Sequence, residues 1–393
     1  MYGILLRNVF LLITLSVVAN AAITAYGVCV NPRKESGICI QIKDCDYFLN
    51  ILNNTSSTGL NPADTKFLRE SQCGHDNSQD SVAKQVLVCC PNSYRNTFTT
   101  RNSVTDKTEP GNVLPEPGVC GNILSNRILG GNVTKIDEFP WMALLQYKTG
   151  PERYGFYCGG SLINSRYVLT AAHCLKHPDI PATWELHSVR LGEWDLTSNP
   201  DCEIDVRGRK DCVDPHRDVL IDYAMAHPLY VPTSKDQYND IALIRMAESV
   251  KSSDFIIPIC LPLTTNLRNK RFTATAMDVA GWGVTENDVA SKIKLKIMVN
   301  VWNTTSCQNT YNTFNMPIND HYQLCAGGEN GIDTCRGDSG GALMVTQRIK
   351  NKDVYFVIGI VSYGPRPCGL EGWPGVYARV GNYTDWIVNS LAP

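Results

Sequence analysis

Short apolar segments recur along the second half of the chain, at 141–147, 167–171, 188–191, 241–245, 294–301, 354–363 and 375–380. Gly, Pro and Asn punctuate them, a pattern that predicts an all-β barrel or sandwich. A single helical stretch is predicted at the end, over 383–391, and no internal repeat is evident. Ahead of this region the pattern differs. From 91 to 118 the chain is polar and rich in Thr, Asn and Pro, which reads as an exposed linker. Residues 29–90 are dense in cysteine and too few to rely on a hydrophobic core alone. At the start, a weakly positive opening through Arg7 leads into the apolar run 9–18 and then Ala19, Ala21 and Ala22. That order predicts a secretory signal over residues 1–21. The apolar run is too short for a membrane span of about 20 residues.

Composition adds one decisive fact. Of 393 residues, 36 are Lys or Arg and 38 Asp or Glu, a net charge of −2 that gives no basic surplus for nucleic acid. The 16 cysteines matter more, because in an exported chain they imply an oxidised framework. Six lie between Cys29 and Cys90 and ten between Cys120 and Cys368, so neither group needs a free thiol. Zinc is the competing reading, and no CxxC pairs or clustered histidines support it. N-x-[ST] sequons at Asn53, Asn54, Asn132, Asn303 and Asn382 fit export as glycan acceptors.

The candidate chemistry centres on Asp333-Thr334-Cys335-Arg336-Gly337-Asp338-Ser339-Gly340-Gly341. A serine hydroxyl needs an adjacent base and a site for the oxyanion, and glycines beside it let successive N–H groups turn into one cavity. The segment resembles the nucleophile loop of chymotrypsin-like serine proteases. Leu169-Thr170-Ala171-Ala172-His173-Cys174 and Asn239-Asp240-Ile241-Ala242-Leu243 agree with it, in the order His, Asp, Ser. The resemblance covers roughly residues 120–393. It implies two six-stranded antiparallel β-barrels with a C-terminal helix, and a domain at 128–393. It also implies His173 as base, Asp240 as its orienting partner, Ser339 as nucleophile, and the N–H groups of Gly337 and Ser339 as the oxyanion hole.

By the same resemblance Asp333, six positions before Ser339, lies at the base of the primary pocket. There a carboxylate selects Arg or Lys. Gly364 and Gly375 match the pocket walls and leave room for a long basic side chain. Pro374 stands where sodium-activated members carry Tyr, so no sodium dependence is implied. Ala342 stands where Pro usually follows the two glycines. Arg127-Ile128-Leu129-Gly130-Gly131 resembles the activation site. In the family, cutting at this place frees an amine that pairs with the Asp beside the nucleophile, which implies an Ile128–Asp338 pair here; without that amine Asp338 would be an uncompensated buried charge, costing several kcal/mol.

The implied disulfides of this part are Cys158–Cys174, Cys307–Cys325, Cys335–Cys368 and Cys120–Cys260, which leaves Cys202–Cys212 to close an inserted loop. The six-cysteine unit 29–90, with adjacent Cys89 and Cys90, resembles the clip domain of arthropod serine proteases; 91–127 is then linker and activation segment. That family pattern implies Cys29–Cys89, Cys39–Cys73 and Cys45–Cys90, whereas six cysteines alone allow 15 pairings. The stretch 193–201 resembles the family's calcium loop. Glu193 and Asp201 offer carboxylates, and Asp195 and Ser198 backbone carbonyls, for one structural calcium ion; a solvated acidic loop is the alternative. No cofactor is expected for the chemistry.

Clip-domain relatives imply a secreted zymogen of an extracellular cascade, in melanisation, Toll-ligand processing or embryonic patterning. The implied partners are a protein substrate, an upstream trypsin-like activator and a serpin inhibitor. The alternative is a docking or cofactor protein in which hydrolysis is secondary. A digestive role is disfavoured, since a tethered regulatory module has no use there.

Overall fold

The computed structural model describes residues 28–42, 45–53, 62–75, 86–91, 114–123, 132–204, 207–284, 289–329 and 337–391. The 1–21 signal, Asn54, Arg127, Ile128, Asp333, Cys335 and most of the 91–127 linker therefore lie outside the described residues.

The N-terminal unit is an antiparallel sheet of β1 (Val28–Val30), β2 (Ser36–Gln41), β3 (Gln72–His75) and β4 (Val86–Pro91), in the order β1-β2-β4-β3. Helices Asp46–Asn53 and Pro62–Glu70 connect β2 to β3. A thin core of Ile40, Tyr47, Phe48, Phe67 and Val88 packs with Cys45 and Cys90. The chain compensates with covalent ties, Cys29–Cys89, Cys39–Cys73 and Cys45–Cys90. Successive residues of a strand point to opposite faces. Cys89 and Cys90 therefore tie β4 to β1 on one face and to the start of the first helix on the other.

The second unit contains two six-stranded antiparallel assemblies. The first is a closed barrel of β5 (Met142–Gly150), β6 (Arg153–Leu162), β7 (Tyr167–Thr170), β8 (Glu185–Leu191), β11 (Arg217–Ala226) and β12 (Ala242–Met246). Between β8 and β11 the hairpin β9 (Cys202–Ile204)–β10 (Lys210–Cys212) is shut by Cys202–Cys212. The second assembly runs β14 (Leu295–Asn300), β13 (Ala276–Gly281), β16 (Ala342–Ile349), β17 (Lys352–Tyr363), β18 (Gly375–Arg379), β15 (Gln323–Ala326). Its two edges meet through one antiparallel bridge, Val301 to Ala326, backed by Trp302 N–H to Cys325 C=O at 2.8 Å.

Every predicted apolar segment falls on a strand, and the closing helix is Thr384–Ser390 with Ile387 fully buried. Helices at 46–53, 62–70, 265–269 and 304–312 do not show in the apolar pattern; the last two bury little, none of 265–269 and only Cys307 and Tyr311 of 304–312. The last of them starts at a polar cap, where Asn303 Oδ1 accepts the Ser306 N–H at 2.8 Å. Among the described residues no helix is long and apolar enough to cross a membrane.

The two assemblies share one core. Trp141, Leu145, Val189 and Leu243 from the first pack with Met344, Tyr355, Val357 and Ile360 from the second. Trp141 Nε1–H donates to Met344 Sδ at 3.0 Å across this junction, and Phe139 meets Tyr355 edge-on. At one end of the seam the backbone itself bridges, with Gly159 N–H donating to Ser339 C=O at 2.8 Å. The next residue, Gly340, has φ +80° and lies so close to β6 and β7 that a Cβ there would overlap the Thr170 hydroxyl and the Gly159 carbonyl. Replacing Gly340 by Ala should lower stability by about 2–4 kcal/mol, from left-handed strain and overpacking together. Thermal unfolding of the uncut protein should show a midpoint several degrees lower; an unchanged midpoint contradicts this close approach.

Candidate active site

Three loops converge where the seam opens. After β7 the chain makes a single turn, Ala172–Cys174, which carries His173 and is pinned to β6 by the Cys158–Cys174 disulfide. Just before β12, Asn239 takes a left-handed conformation, φ 62°, which Asn tolerates better than most residues. Its side chain is held at both ends, Nδ2 donating to Leu229 C=O at 3.1 Å and Oδ1 accepting from Tyr383 Oη at 3.3 Å. The third loop enters β16 through Gly337 (φ 101°), Asp338, Ser339 and Gly340. Its turn is closed by Gly341 N–H to Asp338 C=O at 2.9 Å.

These loops bring His173 and Ser339 to one cleft, with Asp240 buried behind the imidazole. Asp240 is 1% exposed and accepts from the His173 backbone N–H at 2.8 Å and from His173 Nδ1 at 2.7 Å. A third donor, the Ser362 hydroxyl on β17, bonds the same Oδ2 from the other barrel. Burial alone pushes a carboxyl pKa up, but the His173 charge and these donors more than offset it and hold Asp240 low. For His173 the balance is the mirror image: burial pulls the imidazolium down, and the Asp240 carboxylate wins and holds the ring above its ordinary value. Because an ionised carboxylate only accepts, the His173 proton sits on Nδ1 and Nε2 presents a lone pair. His173 and Ser339 both line the cleft.

Gly364 lines that cleft too, and a Cβ on it would be 3.7 Å from Gly375 Cα, so two bare backbone walls face each other. Asp338 turns away from Ser339 toward Gly281 and Gly283. Its Oδ1 accepts the Gly283 N–H at 3.0 Å, and a Cβ on either glycine would overlap the carboxylate. Gly281, Gly283, Ser362 and Asn239 were not singled out from the sequence. The available signals were the Gly281-Trp282-Gly283 triplet and the place of Asn239 inside the motif read for Asp240; Ser362, two residues before Gly364, carries no signal of its own.

The 193–201 loop follows β8. Glu193 and Asp201 are both buried and share one donor, the Trp194 N–H, at 3.0 and 2.9 Å. Asp201 also accepts the Asp195 N–H at 3.0 Å and the Ser198 hydroxyl at 2.6 Å. Asp195 Oδ1 is turned to Thr197, and its carbonyl accepts the Ser198 N–H at 3.0 Å. Burial, and then the Asp201 charge, push Glu193 up to about 7 although Arg190 lies 3.1 Å away. The grouping Cys158, His173 and Cys174 resembles a metal set by position only, since its two sulfurs are bonded to each other. Among the other cysteines, Cys120–Cys260 and Cys307–Cys325 are joined, and Cys368 is disulfide-bonded while Cys335 is not among the described residues.

With this geometry in hand, the chain can be set beside known proteins. The trypsin family profile matches residues 128–387, and the profile described as the regulatory CLIP domain of proteinases matches residues 29–90. Serine protease ea of Drosophila melanogaster is 49% identical over 375 residues, covering 94% of this chain and 92% of its own. The Spaetzle-processing enzyme of the same species is 46% identical over 401 residues, covering 98% and 99%. The crystal structure of the Drosophila Grass clip serine protease of the Toll pathway superimposes with a TM-score of 0.60 at 30% identity, over 93% of this chain and 97% of that one. The chain belongs to the trypsin family of serine proteases, in the group that carries a clip domain ahead of the protease domain.

Proposed function

We propose that the chain is a secreted zymogen which, once cut after Arg127, cleaves extracellular proteins on the carboxyl side of Arg or Lys. The observation that carries this reading is the buried Asp240 carboxylate bonded to His173, which lines one cleft with Ser339. Ser339 Oγ attacks the scissile carbonyl carbon while His173 Nε2 takes its proton. The oxyanion is held by the N–H groups of Gly337 and Ser339, each worth about 2.7–4 kcal/mol. The imidazolium, stabilised by Asp240, then protonates the leaving amine. Water repeats the sequence on the acyl-enzyme and restores Ser339. Specificity for a long basic side chain is supported by the bare walls at Gly364 and Gly375; Asp333, six positions before Ser339, is read from the sequence alone as the carboxylate that meets it.

Activation is read from Arg127-Ile128 and from the Asp338 carboxylate, which packs on Gly281 and Gly283. The Spaetzle-processing and Toll-pathway relatives support a place in a proteolytic cascade; the substrate in this reading is a zymogen, prophenoloxidase or cytokine precursor, in immunity or patterning. A trypsin-like activator and a serpin inhibitor complete the reading. The docking alternative is not favoured: a chain that only docks has no use for a buried carboxylate bonded by three donors. A structural calcium ion at 193–201 is supported by the two buried carboxylates that share one N–H. Glu193, Asp201 and loop carbonyls would hold it, and its chemistry there is charge neutralisation.

Cutting the purified zymogen after Arg127 should release activity on Arg and Lys amides, none on Phe amides, and leave both chains joined through Cys120–Cys260 until reduction. Ser339→Ala should cut identically and stay inactive; activity in that variant contradicts the mechanism. His173 must be neutral to act as base, and Asp240 holds its pKa up, so activity should fall as pH drops through a midpoint above the ordinary value of about 6.5. Asp240→Asn should move that limb to lower pH and reduce kcat about 10⁴-fold. An unmoved limb in the pH–rate profile contradicts the assigned pairing. Chelation with EGTA should lower the thermal midpoint relative to calcium-containing buffer; equal midpoints rule out the calcium ion.

A further inference from the structure

His173 is not the only imidazole in the cleft. His177, four residues on, lines it as well, together with Asp179 and Ser339. The turn between the two is tight, with the Leu175 and Lys176 N–H groups both on Ala172 C=O at 2.9 and 3.0 Å, and it carries the second ring back beside the first. The ring centroids lie 6.3 Å apart and the planes stand at 80°. Nothing in the catalytic sequence uses this second imidazole.

Both rings are backed in the same way. His173 Nδ1 is bonded to the Asp240 carboxylate at 2.7 Å. His177 Nδ1 accepts the Asp179 N–H at 3.2 Å and lies 3.5 Å from Asp179 Oδ2. In each ring Nε2 is the nitrogen left for another partner, and a carboxylate is in place to hold the ring proton on Nδ1 once Nε2 is taken. Histidines that bind metals are commonly backed in this manner. Zinc holds an imidazole nitrogen at about 2.0–2.1 Å, which puts two bound rings roughly 5–6.5 Å apart between centroids, from tetrahedral to linear bond angles. The observed spacing is near the wide end of that range, and a small turn of His177, whose side chain is 27% exposed, narrows it.

We propose that His173 and His177 form a site for one zinc- or copper-type cation, and that the bound ion switches the protease off reversibly. Imidazole suits both metals. Two protein ligands leave the other positions to water, so the ion can come and go. While bound, it occupies the Nε2 lone pair that must take the Ser339 proton, and acylation stops. Binding depends on the two rings alone, whereas the inhibition rests on the catalytic reading above.

The uncut protein, in calcium-containing buffer, is titrated with zinc chloride. With nitrogen-15 in the histidines, the ring signals of His173 and His177 should shift together, and calorimetry should lose one binding event in His177→Ala. His177→Gln, which keeps an acceptor for the Asp179 N–H, should lose it too. A His173 signal that zinc leaves unmoved, or a full set of binding events in both variants, overturns the site. In protein cut after Arg127, zinc at about ten times the measured Kd should lower the rate on a tripeptide Arg amide about tenfold. Phenanthroline, which takes zinc and leaves calcium in place, should restore the rate. Each variant, compared with its own zinc-free rate, should keep its activity at that zinc concentration. An unslowed wild-type enzyme with zinc on both rings refutes the inhibition. A cut protein with no amide turnover at all removes the catalytic reading and the inhibition with it, while the binding data still decide the site.

Discussion

The arrangement depends on one buried carboxylate. Asp240 has almost no contact with water, and a lone charge in that position is costly unless donors meet it. Three do, two from the His173 turn in the first barrel and one from Ser362 in the second. The same bonds that make the charge tolerable also fix the imidazole and join the barrels. A structural requirement and a chemical one are thus met by one set of contacts.

The seam explains why the neighbouring loop is rich in glycine. Ser339 is delivered by a turn whose carbonyl bonds Gly159 and whose next residue is pressed on Thr170. Only a residue without a side chain fits Gly340, and only bare backbone at Gly281 and Gly283 lets the Asp338 carboxylate lie where it does. Catalytic geometry here is a consequence of how closely two barrels approach, beginning with the shared core around Trp141 and Tyr355.

Much of this was legible in the sequence. Segments with long apolar runs, such as 354–363, read directly as strands because their side chains are buried on both faces. Strand β6 was illegible: it opens with exposed residues and turns glycine-rich, so neither hydrophobicity nor alternation marks it. Strand β13 carries Asp278 in its middle, a buried carboxyl met by the Tyr355 hydroxyl, a pairing that only folding reveals. At the site, His173, Asp240 and Ser339 stand in distinctive motifs. Ser362 lies 122 residues from Asp240, in a segment with no sign of its polar task. Contacts across such separations are set by topology, and local sequence does not carry them.

The most direct test of the account is the protonation state of the His173 ring in the protein cut after Arg127. With nitrogen-15 in the histidines, NMR above the ring's pKa should show the proton on Nδ1, hydrogen-bonded to Asp240, and an unprotonated Nε2. A ring carrying its proton on Nε2 would mean that Asp240 does not orient it, and the account of the site would be wrong.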